Sequence, residues 1–291
     1  MPTPCRLCPR ACGADRVTAL GRCHSGREMR VARAALHFWE EPPLSAAGGA
    51  GAVFFTGCPL GCVFCQNREI STGENPGKAV TPPELSALCF DLIAQGAQCI
   101  DLVTPGHFAP QIAEALRLRK LPVPVVWNSS GYETVETLQA LEGLVDIYLP
   151  DFKYADPALA AALSHAGDYP AVALAAIREM VRQTGAPVIE DGLMRRGVII
   201  RHMMMHGKLF DTKKILDRIY GEFGDDVYIS LMFQYTPMPH VLQGDYPSYM
   251  KKKVQSGHCR AALDYLINLG VTNAFYQDEE ASGYSMIPDF R

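Results

Sequence analysis

Residues 57–67 read GCPLGCVFCQN, from Gly57 to Asn67, and place Cys58, Cys62 and Cys65 at C-x3-C-x2-C spacing. The run before them, Ala52-Val-Phe-Phe-Thr56, is short and apolar, as strands buried on both faces are. The cysteines therefore fall on the loop that leaves the C-terminal end of a strand. Thiolates hold iron–sulfur clusters, and a cubane needs four ligands. Three thiolates from one loop leave one iron open to a small molecule. A structural zinc site would instead take a fourth protein ligand, such as a cysteine from the N-terminus.

The chain of 291 residues, 48% of them hydrophobic, can bury a large core, and its length suits one α/β domain with a small appendage. A net charge of −4 gives no electrostatic footprint for nucleic acid. Lys251-Lys-Lys253 reads as a solvated loop. No apolar run reaches the roughly 18 residues of a membrane span. The start, Met1-Pro-Thr-Pro-Cys5, lacks the apolar stretch of a secretion signal, so a cytoplasmic location is expected. Ten cysteines in such a chain argue for metal binding over disulfides. Cys89, Cys99 and Cys259 fall in predicted helix and strand and read as small buried apolar residues.

Residues 1–50 are rich in Cys, Arg and Gly and run into Ala46-Ala-Gly-Gly-Ala-Gly51. They are expected to form a metal-binding segment with a flexible end, packed on a main domain of residues 51–291. From residue 52 the pattern alternates. Predicted strands are Ala52–Thr56, Cys99–Val103, Val123–Trp127, Asp146–Leu149, Gly197–Met203 and Val227–Phe233, with a short one at Val271–Tyr276. Predicted helices are Pro82–Gln95, Gln111–Leu118, Glu133–Leu141, Ala171–Gln183, Thr212–Glu222 and Cys259–Leu269. Six βα units favour parallel strands with right-handed crossovers, in an open doubly wound sheet or a partial barrel. Either places function at the C-terminal strand ends.

The cysteine spacing, with Phe64 before the third cysteine, resembles the signature of the radical S-adenosylmethionine (radical SAM) superfamily. Cys5-x2-Cys8-Pro9-Arg10, residues 32–40 (ARAALHFWE), Cys65-Gln-Asn67, Tyr148-Leu-Pro-Asp-Phe-Lys153 and Gln234-Tyr-Thr-Pro237 resemble its pyruvate formate-lyase activating-enzyme-related branch. The resemblance runs from about Cys5 to Phe290. It implies an α/β fold: a partial (β/α)6 barrel of radical SAM type with a Cys-rich N-terminal segment. It implies reductive cleavage of S-adenosylmethionine at a [4Fe-4S] cluster on Cys58, Cys62 and Cys65, forming a 5′-deoxyadenosyl radical that abstracts hydrogen. An electron donor such as flavodoxin or ferredoxin would be a partner. The hydrogen source would be a glycine in a glycyl radical enzyme. Two alternatives stand beside this: radical chemistry on a small molecule or another protein side chain, and a metal-binding module without catalysis.

Further constellations follow from the same reading. Cys5, Cys8, Cys12 and Cys23 supply four thiolates, enough to close a structural zinc site or hold a second iron–sulfur cluster; zinc is the preferred reading. Asp151 and Lys153 are two apart and point the same way if their strand continues. The resemblance implies that Lys153 contacts the cofactor's carboxylate, with Asp151 near it and a cation between the two. It also implies that Asn128 and Ser129, in Asn128-Ser-Ser-Gly131, share the polar floor of the cofactor site. Thr104-Pro-Gly-His107 stands where relatives carry Gly-Gly-Glu; the carbonyls of Thr104 and Gly106 are the remaining acceptors for the cofactor's ammonium, and His107 reads as polar loop surface. Arg201, inside an apolar strand, needs a partner, either Asp151 or the cofactor's carboxylate. His202 points the other way and reads as structural. Met203 to Met205 read as packing. Phe64 and Gln234, with Tyr235, complete the expected cofactor contacts.

Overall fold

The computed structural model describes residues 4–45, 48–277 and 290. The apolar runs form the strands that their composition predicts. β2 (Ala50–Phe55), β4 (Ile100–Val103), β5 (Val125–Ser129), β6 (Ile147–Pro150), β8 (Leu193–Met203), β9 (Tyr228–Met232) and β10 (Ala274–Gln277) are hydrogen-bonded in that order, all parallel. Between them run α3 (Pro82–Ala94), α4 (Ala109–Leu118), α5 (Val135–Gln139), α7 (Tyr169–Thr184), α8 (Leu209–Phe223) and α10 (Ser256–Asn268). α3 begins where the sequence signals it: Thr81 caps Glu84 and Glu84 caps back, with proline in the first turn. Among the described residues the sheet does not close, so the barrel is partial.

Two features depart from the expected pattern. The glycine-rich stretch is not all a flexible end, because Ala50 and Gly51 already belong to β2; Ala46 and Ala47 lie outside the described residues. Within the N-terminal segment, β1 (Arg30–His37) joins the sheet antiparallel to β2, and β3 (Lys78–Ala79) covers its outer edge. β1 carries basic residues and little apolar alternation, so its strand character comes from its partner and not from its own pattern. α6 (Pro157–Ser164), β7 (Val188–Glu190), which forms a hairpin with β8, and the short α1 (Pro42–Ser45), α2 (Arg68–Ser71) and α9 (Pro239–Gln243) complete the described elements.

Alternation along the strands divides the core. Leu102, Trp127, Tyr148, Val198 and Ile200 face the helices in the main cluster, whereas Val126, Ile147, Leu149 and Ile199 point to the concave side. There they meet Leu44 of α1, which packs against β8. α1 thus plugs the floor of the barrel, and the two residues before it, Glu40 and Glu41, are carried into the interior. Cys89, Cys99 and Cys259 are buried, as their apolar settings suggest.

Candidate active site

The cysteine loop leaves β2 through Gly57, whose φ of +92° suits glycine; a Cβ there would collide with Ser25 and the Cys23 carbonyl. From that point the loop is held by its neighbours. The Cys58 N–H donates to the Cys23 carbonyl at 3.1 Å and the Val63 N–H to the Leu163 carbonyl at 2.9 Å. The Arg10 guanidinium donates to the carbonyls of Pro59 (2.9 Å) and Leu60 (3.1 Å), and to those of Ser164 and His165. Ser164 donates to the Cys62 sulfur at 3.0 Å.

Cys58, Cys62 and Cys65 line one wall of a cavity of about 270 Å³. Burial pushes the Cys58 thiol up to about 12, and repulsion from Cys62 and Cys65 adds to it. Burial also raises Cys62, against the pull of the Lys153 ammonium. Cys58 and Cys62 are therefore held as thiols until a metal displaces their protons. Among the described residues no three histidine, cysteine, aspartate or glutamate side chains converge on a point as a single-ion cage. A cubane makes no such demand, because each thiolate binds a different iron and the three must surround a space. The donor set, three thiols beside an open cavity, fits that group.

In the same cavity, Asp151 and Lys153 do point the same way. Lys153 Nζ lies 2.6 Å from Asp151 Oδ2, and Arg201 Nε lies 3.0 Å from Asp151 Oδ1. A bridge between Asp151 and Arg201 extends β6 onto β8, placing these side chains together. Burial would raise Asp151, but the two cations outweigh it and hold the carboxyl below its ordinary range. Arg201 has thus found the carboxylate that its apolar strand required. Its guanidinium also donates to Asn128 Oδ1 and lies 3.7 Å from Glu40.

Phe64, Thr104, Asn128, Ser129 and Gln234 line the same cavity. Asn128 and Ser129 are strand residues of β5, not turn residues: Asn128 donates to Asp101 at 3.1 Å and Ser129 to Glu133 at 2.8 Å. Thr104 holds a φ of +57°, uncommon for a β-branched residue. Gly106 does not reach the main cavity; it sits against Glu133, where a Cβ would come within 2.6 Å of the carboxylate. Tyr235 departs from expectation. It is buried, stacks edge-on to Phe64 and donates to the Met250 carbonyl at 2.7 Å. His107 is not polar surface; it is 1% exposed, with Nε2 2.8 Å from the Thr56 carbonyl. His202 is buried between the Phe152 carbonyl and Thr212. Met204 and Met205 are core, and Met203 lines the cavity.

Near the N-terminus the thiol of Cys8 is raised to about 11 by burial, with added repulsion from Cys23, Cys5 and Cys12. The four thiols are therefore neighbours.

An acidic layer deep in the cavity goes beyond the sequence expectation. Glu40 and Glu41 line it, and Glu40 is hydrogen-bonded to Glu41 and to Asp101, which is fully buried. One signal was available: Asp101, like Arg201, is an ion inside an apolar strand.

Residues 52–219 match the model of the radical SAM superfamily. The chain belongs to the radical SAM superfamily. Membership implies an enzyme that uses a [4Fe-4S] cluster and S-adenosylmethionine. A relative, an uncharacterized protein of Methanocaldococcus jannaschii, is 30% identical over 242 residues, covering 80% of this chain and 66% of that protein. The chain thus spans just under two thirds of that relative's length. Streptococcus suis SuiB bound to S-adenosylmethionine superposes with a TM-score of 0.50 at 12% identity, over 76% of this chain and 48% of that one. A domain of pyruvate-formate lyase-activating enzyme from Bacteroides vulgatus gives 0.44 at 12% identity, over 59% of this chain and 92% of that one. At 12% identity the likeness to SuiB is one of fold alone. No described helix is long and apolar enough to cross a membrane.

Proposed function

We propose that this radical SAM enzyme binds its cluster through Cys58, Cys62 and Cys65 and acts as an activating enzyme, taking a hydrogen atom from a glycine of a partner protein. The observation that carries the site is the convergence of the three thiols and the Asp151–Lys153–Arg201 group on one cavity. The sequence resemblance to the activating-enzyme-related branch supports the reaction. When bound at Cys58, Cys62 and Cys65, the cluster would supply the electron for reductive cleavage of S-adenosylmethionine, the source of the hydrogen-abstracting chemistry.

The chain's own residues bind and orient. Lys153 has three donors, of which Asp151 takes one, so its ammonium can also hold a carboxylate of the cofactor. Arg201 is occupied by Asp151, Asn128 and Glu40 and fixes the position of Asp151. Asn128, Ser129 and the carbonyl of Thr104 offer polar contacts along the same wall. Phe64 and Gln234 line the same cavity. Gly106 contributes backbone beyond the main cavity. The four N-terminal thiols, read from the sequence as a zinc site or a second cluster, would staple the segment that holds the cysteine loop on gathering around that metal, since no three of them converge as a single-ion cage in the chain as it stands. Residues 1–50 then serve as the metal-binding segment and 51–291 as the radical SAM barrel. The electron would come from a flavodoxin or ferredoxin in the cytoplasm.

Anaerobic reconstitution followed by a 5′-deoxyadenosine assay tests the cofactor chemistry. Dithionite-dependent formation supports it; a reconstituted protein with no cluster absorption would sink it. A glycyl radical signal in a co-purifying partner, detected by electron paramagnetic resonance, tests the substrate class.

A further inference from the structure

We infer that Ser164 and Tyr154 are positioning residues for Cys62: two buried hydroxyls in relay, Tyr154 to Ser164 to the Cys62 sulfur, that ease one-electron reduction of the cluster held there. This rests on the proposed assignment of Cys62 to the cluster.

The direction of the relay follows from counting donors. Ser164 Oγ lies 3.0 Å from Cys62 Sγ and 2.7 Å from the Tyr154 hydroxyl. A serine hydroxyl has one proton to give and two lone pairs to receive with. A thiolate bound to iron has no proton, so Ser164 must donate the bond to Cys62. Ser164 then has no proton left for Tyr154. The phenol must therefore donate to Ser164 Oγ, and it lies within reach of the same sulfur as well. Ser164 is 0% and Tyr154 1% exposed, so water does not compete for either bond and each polarises the other.

The relay singles out one thiol of the three. Cys58 is met by the backbone of Gly61 and Leu60, within its own loop. Cys62 is met by a side chain 102 residues away. That side chain is held in place on both sides. Ser164 ends α6, where the Val63 N–H donates to the Leu163 carbonyl at 2.9 Å and Arg10 to the Ser164 carbonyl at 2.8 Å. Tyr154 packs edge-on against Tyr169, with ring centres 5.4 Å apart. Tyr169 is itself fixed, donating to the Asp151 carbonyl and accepting from the Lys153 N–H. Alanine and phenylalanine would fill nearly the same space, so packing alone does not call for an oxygen at either position, and burying one without a partner is costly.

Hydrogen bonds to a ligand sulfur draw electron density from it. They count for more once the cluster has gained an electron, and they are among the features that set iron–sulfur potentials. The Lys153 ammonium acts on the same sulfur, and the two hydroxyls add to it from the protein interior. The electron itself comes from the donor protein, or from dithionite in the test, and no covalent bond of the chain changes.

A redox titration followed by electron paramagnetic resonance on the anaerobically reconstituted full chain reads the midpoint, using the [4Fe-4S] signal that Cys62→Ala abolishes. Ser164→Ala should disfavour the reduced state about ten-fold, which is about 59 mV lower for a one-electron couple. Tyr154→Phe should shift the midpoint the same way by less, because Ser164 still donates. Ser164→Thr keeps the hydroxyl and should stay with wild type, as should Tyr220→Phe, which removes a distant phenol on α8. Iron counts and circular dichroism show which variants are loaded and folded, and if Ser164→Ala is not, Tyr154→Phe decides alone. A wild-type midpoint in the loaded Ser164→Ala and Tyr154→Phe variants overturns the relay. So does a shift in Ser164→Thr equal to that in Ser164→Ala, which would make side-chain volume the cause. Wild type without a Cys62-dependent signal refutes the cluster assignment and the relay with it, whereas a Cys62-dependent signal whose midpoint ignores both hydroxyls refutes the relay alone.

Discussion

Replacing Arg10 by Ala should loosen the cysteine loop from a distance in sequence of about fifty residues. The guanidinium donates to three partly buried carbonyls, Pro59 (2.9 Å), Leu60 (3.1 Å) and Ser164 (2.8 Å), and to the more exposed His165. It also lies 5.2 Å from the centre of the Tyr132 ring. A hydrogen bond from a charged donor is worth about 1.5–3 kcal/mol when its acceptor is left dry. Water can reach partly buried carbonyls, so about 1 kcal/mol for each of the three is the better figure. The exposed bond adds little, and the ring contact adds about 0.5–1 kcal/mol. The expected loss is therefore about 3–4 kcal/mol. Lysine at this position has one nitrogen and cannot span the carbonyls on both segments, so Arg10→Lys should recover less than half. Urea unfolding of the metal-free chain measures the loss, and iron per chain after anaerobic reconstitution measures the consequence for the loop. A stability within about 0.5 kcal/mol of wild type, the usual scatter of surface changes, together with full iron loading, would refute the clamp.

Arg201→Ala should destabilise the fold by about 3–5 kcal/mol, the range for removing one partner of a buried ion pair, because Asp151 and Glu40 lose a counter-charge together; an unfolding midpoint near wild type would contradict this. Lys153→Ala should keep its iron yet bind S-adenosylmethionine roughly ten- to a hundred-fold more weakly, read by calorimetry on the oxidised cluster; unchanged affinity would place the carboxylate elsewhere. Glu40 and Glu41 are raised by burial to about 8 and about 7, so between their ordinary range and these values the folded chain holds more protons than the unfolded one. Their contribution is complete at acid pH and fades as pH rises through that window. Wild-type stability should decline from pH 6.5 to 8.5, and Glu40→Gln should flatten the decline; equal slopes in urea melts would reject it.

Much of the fold is legible because the parallel strands are buried on both faces and must be apolar throughout. The cysteine loop follows from one such strand and its thiol spacing. Arg201 is legible by a second rule, that an ion within an apolar strand needs a partner, whereas the roles of Asp151 and Lys153 come from the family resemblance. Applied to Asp101, the same rule points to the acid layer. Glu40 and Glu41 escape it because they follow β1, a strand without an apolar pattern of its own that enters the barrel from the end opposite the C-terminal strand ends. His107 reads as surface because it follows a strand on a loop. It is buried because the N-terminal segment lies over it, with Arg16 donating to its carbonyl, a contact made across 91 residues. Tyr235 illustrates the same limit: its neighbour Gln234 faces the cavity, and alternation turns Tyr235 into the core.

The assignment of Cys58, Cys62 and Cys65 to the cluster is tested most directly by comparing wild type with Cys62→Ala after anaerobic reconstitution, counting iron and sulfide and assaying 5′-deoxyadenosine with dithionite. Cys62 is the informative choice, because it faces both Ser164 and Lys153, and its loss leaves a cubane that needs four ligands with two protein thiolates. Wild type should carry a [4Fe-4S] absorption at this site and release 5′-deoxyadenosine, and the variant should do neither. Substantial 5′-deoxyadenosine from Cys62→Ala would contradict the account.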